Sequence, residues 1–230
     1  MTYFEFAGTI FPRLLRATVI TLELTAISIG SGFLLGLLLA LTRVYANRAL
    51  SGAANVYIQF FRGTPLVVQA LLVYYGLPPY LKSLGIEPFT PFVAACIALG
   101  LNSAAYQAEY FRGAIQAISS GQMQAARSMG MSKMQAVRSV ILPQALRIVL
   151  PSWSNELIYT IQYSSVAYFL TLEELTFASM KIAARYARAF DSYATAGVIY
   201  VVIVLLVSRL LAYAESRLRI PGLCVDDRAR

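Results

Sequence analysis

The sequence has 230 residues, with no histidine, two cysteines and three lysines, and only 13% of it is charged. Each shortage removes a class of chemistry. Without histidine there is no imidazole base, so a Ser-His-Asp triad and the H-E-x-x-H and Cys/His patterns of zinc sites are excluded. Lys82, Lys133 and Lys181 are the only lysines, and none follows a glycine, which excludes the phosphate cradle of a Walker A sequence. Cys96 lies inside an apolar run and Cys224 in the tail, so depth argues against a disulfide, and neither has a metal-ligand neighbour. We expect no catalytic residue, no metal and no cofactor held by this chain.

Hydrocarbon is abundant. Hydrophobic residues make up 58% of the chain and the mean hydropathy is +0.64, whereas an ordinary soluble domain has roughly 25% charged residues. Nineteen residues without charge separate Glu23 from Arg43, another 19 separate Arg62 from Lys82, and 21 separate Glu87 from Glu109. From Ile148 to Leu172 the only charge in 25 residues is Glu156, and Ser192 to Ser208 adds 17 more, extendable to Tyr213. Each run approaches the ~20 residues a helix needs to cross ~30 Å of hydrocarbon. The expectation is an all-α integral membrane bundle forming a single domain over residues 1–230. Its five spans fall at about 18–43, 63–81, 91–110, 146–170 and 192–213. A short lead-in over residues 1–12 precedes them, and no segment is expected to be cleaved, because the first apolar run is too long for a signal-peptide core.

The net charge of +8 is distributed unevenly. With the N-terminus outside, 13 Lys and Arg residues, among them Arg219, Arg228 and Arg230, fall on inner segments and 6 on outer ones. The positive-inside rule then places residues 117–145 and the C-terminus in the cytoplasm. The basic charge reads as topology, and nucleic acid is not an expected partner.

Small residues form one stripe on the first helix: Thr18, Thr21, Thr25, Ser28, Gly32 and Gly36. The Gly32/Gly36 pair permits close backbone approach, and packing within the chain accounts for it. In the FRGTPL stretch, Gly63 and Pro65 interrupt the helical pattern, and such a break is tolerated only against protein or water. Pro78 and Pro79 end the second span, and residues 88–91 open the third. After the fourth span, Leu172, Leu175, Ser179 and Ile182 share a helical face, with Glu173, Glu174, Lys181 and Arg185 off it. That pattern fits an amphipathic helix on the outer surface.

The fourth span repeats polar residues at helical spacing: Ser152, Asn155, Glu156, Tyr159, Gln162 and Tyr163. A carboxylate at mid-membrane costs about 2.5–3.5 kcal/mol on insertion scales, so it faces a bundle interior or a wet cavity. Two readings stand for Asn155 and Glu156, a lining for a polar solute's path or interhelical hydrogen bonding. Gln162 and Tyr163, deeper, read as lining. In the third span, Glu109 precedes Arg112 at ion-pair spacing, which reads as a structural salt bridge.

The segment GQMQAARSMGMSKMQAVRSVILPQA, Gly121 to Ala145, is polar and basic between two lipid-soluble runs. A short helix ends at Gly130, Ser132 caps a second from Lys133, and Pro143 stops or kinks it. Met123, Met129, Met131 and Met134 offer an adaptable apolar surface. Physical pattern alone leaves two readings, a helix lying on lipid or a docking elbow.

Within this segment, QAARSMGMSKMQAVRSVILP resembles the EAA motif of ABC-importer membrane subunits, the loop that docks into the ATPase subunit. The matching positions are Gln124, Ala125, Ala126, Gly130, Val140, Leu142 and Pro143, with Gln124 in place of the family glutamate. FRGTPLVVQALLVYYGLP, NSAAYQAEYFRGAIQAI and LPQALRIVLPSWSNELI resemble the branch that imports polar amino acids. The resemblance implies the five-helix core of small type I ABC importers. It also implies an ATPase partner that uses ATP and Mg²⁺, a second permease subunit, an extracytoplasmic solute-binding protein, and a bacterial inner-membrane location. Arg62, Thr64, Asn155, Glu156, Gln162, Tyr163 and Ser164 are candidates for the substrate path. Related permeases often carry lysine followed by a small polar or acidic residue at the positions of Gln162, Tyr163 and Ser164, so those contacts do not transfer directly. A stand-alone secondary transporter or channel is the competing class; against it stand the span count and the absence of an inverted repeat. A membrane scaffold that moves nothing is discouraged by the polar stripe.

Overall fold

The computed structural model describes residues 2–83 and 89–218. Expectations on residues 84–88, including the start of the third span at Pro88, and on Arg219, Cys224, Arg228 and Arg230 lie outside the described residues. Among the described residues the elements are helices, without strands, as an apolar chain requires: in hydrocarbon each helix satisfies its own backbone.

Helix α1 (Tyr3–Tyr45) is continuous and already helical where a lead-in was expected. Thr2 and Glu5 form a reciprocal capping box that starts it, and Pro12 sits inside it. Helix α2 (Arg48–Gly63) is capped by Asn47 and runs to the break at Thr64 and Pro65. Beyond it come α3 (Leu66–Leu71), a π-turn (Leu72–Gly76) and α4 (Pro78–Ser83), bent by 106° from α2. Helix α5 (Pro91–Ala117) starts at the Thr90 cap with proline in its first turn, where the missing N–H costs nothing.

The elbow comprises α6 (Ser120–Ser128), α7 (Lys133–Ala136), a π-turn (Val137–Ile141) and α8 (Leu142–Ile148). Pro143 does not stop a helix here. It opens α8 in the first turn, where proline is tolerated, after the wider π-turn. The expected fourth span is likewise not one helix. Pro151 opens α9 (Leu150–Tyr163), and a 3₁₀ segment (Ser164–Leu170) follows, closed by Thr171 in the left-handed region at φ 60°. Helices α10 (Leu175–Tyr186) and α11 (Ala189–Leu218) complete the chain.

Among the described residues two helices, α1 and α11, are long and apolar enough to cross a bilayer alone, and the bent pair is a third if it acts as one span. Helix α5 is the axis of the bundle. Its alanine face (Ala94, Ala98, Ala104, Ala105, Ala108) is buried, and α1 lies along it. The contact is too close for side chains on α1. A Cβ on Gly36 would stand 2.9 Å from the Ala104 carbonyl oxygen and from Gln107 Cβ, and one on Gly32 would stand 2.7 Å from Gln107 Nε2. Gly32 and Gly36 of the small-residue stripe make this close approach; Thr18, Thr21, Thr25 and Ser28 are buried as well, and Thr21 Oγ1 accepts from the backbone N–H of Leu175 at 3.2 Å.

Helix α10 is amphipathic, with Lys181 and Arg185 exposed and its apolar face turned into the bundle. Leu175, Ala178 and Ile182 pack with Phe6, Ile10 and Leu14 of α1 and with Ala196 and Ile199 of α11. Glu174, expected off the packed face, is fully buried because it caps α10. Its carboxylate accepts from the backbone N–H of Thr176 and Phe177, both at 2.8 Å, and from Tyr200 Oη at 3.1 Å.

Candidate functional site

The elbow is built by local chemistry. Ser119 caps α6, and Gly130 takes φ +86°, a backbone that L side chains rarely adopt. The capping box of Ser132 and Gln135 then starts α7. Ala126, Ala136, Val137 and Ile141 point into the protein. Ile141, Ala145 and Val149 join Phe111, Ala114 and Ile115 of α5 and Ala40 of α1 in one cluster, so the elbow is seated on the bundle. Lys133 Nζ donates to the Tyr45 carbonyl at 3.2 Å and lies 5.3 Å from the centre of the Tyr45 ring, pinning α7 to the end of α1.

The expected coupling positions divide across this seat. Gln124, Ala125, Gly130 and Pro143 are exposed, Ala126 is buried, and Val140 and Leu142 are half-buried. Met129 and Met134 are 80% and 74% exposed beside them, while Met123 packs inward against the cluster. The elbow thus presents flexible apolar side chains outward from a base seated on the bundle.

The candidates for the substrate path do not converge in one pocket. On α9, Asn155, Gln162 and Tyr163 are exposed, whereas Glu156 is buried. The stripe therefore splits along its edge, with Glu156 turned inward to α5. Ser103 Oγ donates to Glu156 Oε1 at 2.7 Å and Tyr110 Oη to Oε2 at 3.4 Å. Ser164 is buried, and its hydroxyl returns to the Ile161 carbonyl at 2.7 Å. Tyr159 and Tyr163 stack with their ring centres 6.2 Å apart. Arg62 and Thr64 flank the break after α2, and the Arg62 guanidinium stands 5.3 Å from the centre of the Tyr106 ring. Arg62, Tyr106, Tyr110 and Glu156 thus follow one another from the break across α5 to α9.

Sequence reasoning missed the polar groups that hold these elements together. Gln107 is fully buried; its Nε2 donates to the Ile29 carbonyl at 3.2 Å and to Ser103 Oγ at 3.0 Å, and its Oε1 accepts from Trp153 Nε1 at 2.9 Å. This ties α1, α5 and α9 through one amide. The signal was present: Ser103 and Gln107, four apart, form a second stripe beside Asn102 and Tyr106 in a run without charge. The Glu109–Arg112 ion pair forms at 2.7 Å, and Glu109 also receives Arg43 from α1, a partner that sequence spacing could not reveal. Among the described residues no group of His, Cys, Asp or Glu could hold a metal ion.

Residues 32–220 match the family described as "Binding-protein-dependent transport system inner membrane component". The chain is 39% identical over 210 residues to the nopaline transport system permease protein NocM of Agrobacterium fabrum, covering 89% of this chain and 87% of the relative. It is 35% identical over 209 residues to the glutamine transport system permease protein GlnP of Escherichia coli, covering 91% and 94%. A crystal structure of an amino acid ABC transporter superposes with a TM-score of 0.83 at 35% identity, covering 94% of this chain and 99% of that one. Helical bundle, exposed elbow and relatedness agree: the chain belongs to the family of binding-protein-dependent transport system inner membrane components.

Proposed function

We propose that this chain is the permease subunit of an ATP-driven importer of a polar amino acid, multi-pass in a bacterial inner membrane. In this reading it is not itself an enzyme and binds no cofactor. ATP and Mg²⁺ are used by a separate ATPase subunit that docks on the elbow through Gln124, Ala125, Ala126, Gly130, Val140, Leu142 and Pro143. The bundle crosses the membrane five times with the N-terminus outside, counting α1, the bent α2–α4 unit, α5, the broken α8–α9 unit and α11. A second permease subunit, a copy or a homologue, completes the path, and an extracytoplasmic binding protein delivers the cargo.

One observation carries the proposal: the elbow presents its exposed knuckle on a base welded to α1 and α5 through Lys133 and the Ile141 cluster. Force applied at Gly130 is therefore passed to the central pair of helices as rigid-body movement. Relatives of similar identity are named for nopaline and for glutamine, which supports an amino acid or a derivative of one as cargo. Arg62, Thr64, Asn155, Glu156, Gln162, Tyr163 and Ser164 remain the candidates for its path, with Glu156 and Ser164 acting from behind the wall because they are buried.

Reconstitution with a partner ATPase and binding protein, with hydrolysis scored against the twenty common amino acids and the derivatives nopaline and octopine, tests the reading. One or a few amino acids should raise ATP hydrolysis several-fold. A response to none of them would overturn it.

A further inference from the structure

The break between α2 and α3 carries more polar chemistry than a turn requires. Pro65 has no N–H, so the Phe61 carbonyl four residues earlier has no helical donor. Two buried amides supply what proline withholds. Gln69 Nε2 donates to the Phe61 carbonyl at 2.8 Å, the Thr64 carbonyl at 3.0 Å and Thr64 Oγ1 at 2.7 Å. Asn102 Nδ2 donates to the same Phe61 carbonyl at 3.1 Å and to Gln69 Oε1 at 3.0 Å. Gln69 is 4% exposed and Asn102 7%, so water does not substitute for either.

Proline breaks the helix here but does not aim it. It drives Thr64 into extended backbone (φ −114°, ψ 147°), and Pro65 is extended as well (ψ 131°). Two extended residues in succession are compatible with many directions of departure. The clamp selects one, because Gln69 stands on α3, Asn102 stands on α5, and both hold the last turn of α2. One turn further along α5, Tyr106 faces Arg62. Asn102 and Tyr106, spaced i and i+4, therefore hold the end of α2 from the same side.

We propose that Gln69 and Asn102 are positioning residues of the transport path: their clamp sets the 106° bend and fixes where Arg62 and Thr64 face the cargo. This rests on the reading of Arg62 and Thr64 as path-lining. Gln69 has to donate and accept at once. Glutamate keeps its shape but turns an acceptor toward three acceptors, and leucine offers neither function.

The test uses the whole importer and three variants: Gln69→Leu, Pro65→Ala, and the two combined. Spin labels at Gly52→Cys and Tyr80→Cys, with Cys96→Ser and Cys224→Ser, report the bend without any need for transport. Thermal midpoint and the amino acid concentration that half-stimulates hydrolysis complete the set, using the amino acid that stimulates the unmodified importer most. Pro65→Ala alone should keep the label distance, because the clamp is intact. Gln69→Leu should lower the midpoint and raise the half-stimulating concentration at least tenfold. In the combined variant the new N–H of residue 65 can serve Phe61, so the midpoint should recover while the label distance lengthens and the half-stimulating concentration stays high. A merely structural clamp would instead recover midpoint and stimulation together, which overturns the proposal. So does straightening by Pro65→Ala alone, or an unchanged half-stimulating concentration in Gln69→Leu. If no amino acid stimulates the unmodified importer, the importer reading fails, and the label distances alone decide for or against the clamp.

Discussion

Single residues set local geometry at two places in the chain. Glu174, between the fourth and fifth expected spans, caps α10 from a fully buried position. Burial pushes its carboxyl above the usual carboxylate range, against the backbone N–H groups of Thr176 and Phe177, which act in the opposite direction. A raised native value means that the folded state holds the proton more tightly than the unfolded chain. The stability this adds is fully present below about pH 4.3, the unfolded value, and is lost as pH rises through the native one. Glu174→Gln removes the titration, so its thermal midpoint should gain on the unmodified protein as pH rises from about 4.3 through the native value; a gap constant at every pH from there upward would refute the assignment. Glu174→Ala also removes the cap, at a cost of about 1 kcal/mol. In the elbow, Gly130 takes φ +86°. Gly130→Val strains this turn by roughly 1–2 kcal/mol and should leave membrane insertion intact while cutting cargo-stimulated ATP hydrolysis at least tenfold. Full stimulation in that variant would separate the elbow from coupling.

At the scale of elements, the pair α1 and α5 is the frame on which the rest is hung. Gly36→Leu would drive a side chain into the Ala104 backbone, and since overpacking costs typically 1–3 kcal/mol, the detergent-solubilised protein should melt several degrees lower. Gly30→Leu, six residues earlier, is the control: a Cβ there meets nothing within 4 Å, and the midpoint should hold. Equal losses would mean that the two helices do not pack as described.

This frame was legible in the sequence because close packing leaves a periodic record of small residues. The Gly130 turn and the Ser132 cap were legible for a related reason, since each is written by one residue with one conformational use. The tertiary polar links were not. Gln69 and Asn102 meet across 33 residues, and Arg43 and Glu109 across 66, and no local period reports such pairings. Proline carries the same ambiguity: Pro143 reads as a stop or a kink in sequence, yet it stands in the first turn of α8, directly after a π-turn. Glu174 was misread because a charged side chain beside an apolar stripe counts as outward until a cap draws it in.

At the scale of the molecule, the described residues offer a frame, a knuckle and a polar lane. The polar lane from Arg62 to Glu156 is half open, and Asn155, Tyr159, Gln162 and Tyr163 stand on a face that a single copy leaves exposed. A second bundle closing on that face would complete a path for a polar solute. The central claim is that movement enters at the elbow and leaves as a change at that lane. The most direct measurement places the purified permease in sealed vesicles, with and without its ATPase and binding protein, and follows radiolabelled amino acid uptake. The account predicts uphill uptake only with both partners and internal ATP. Uphill uptake by the permease alone, driven by a proton or sodium gradient, would contradict it.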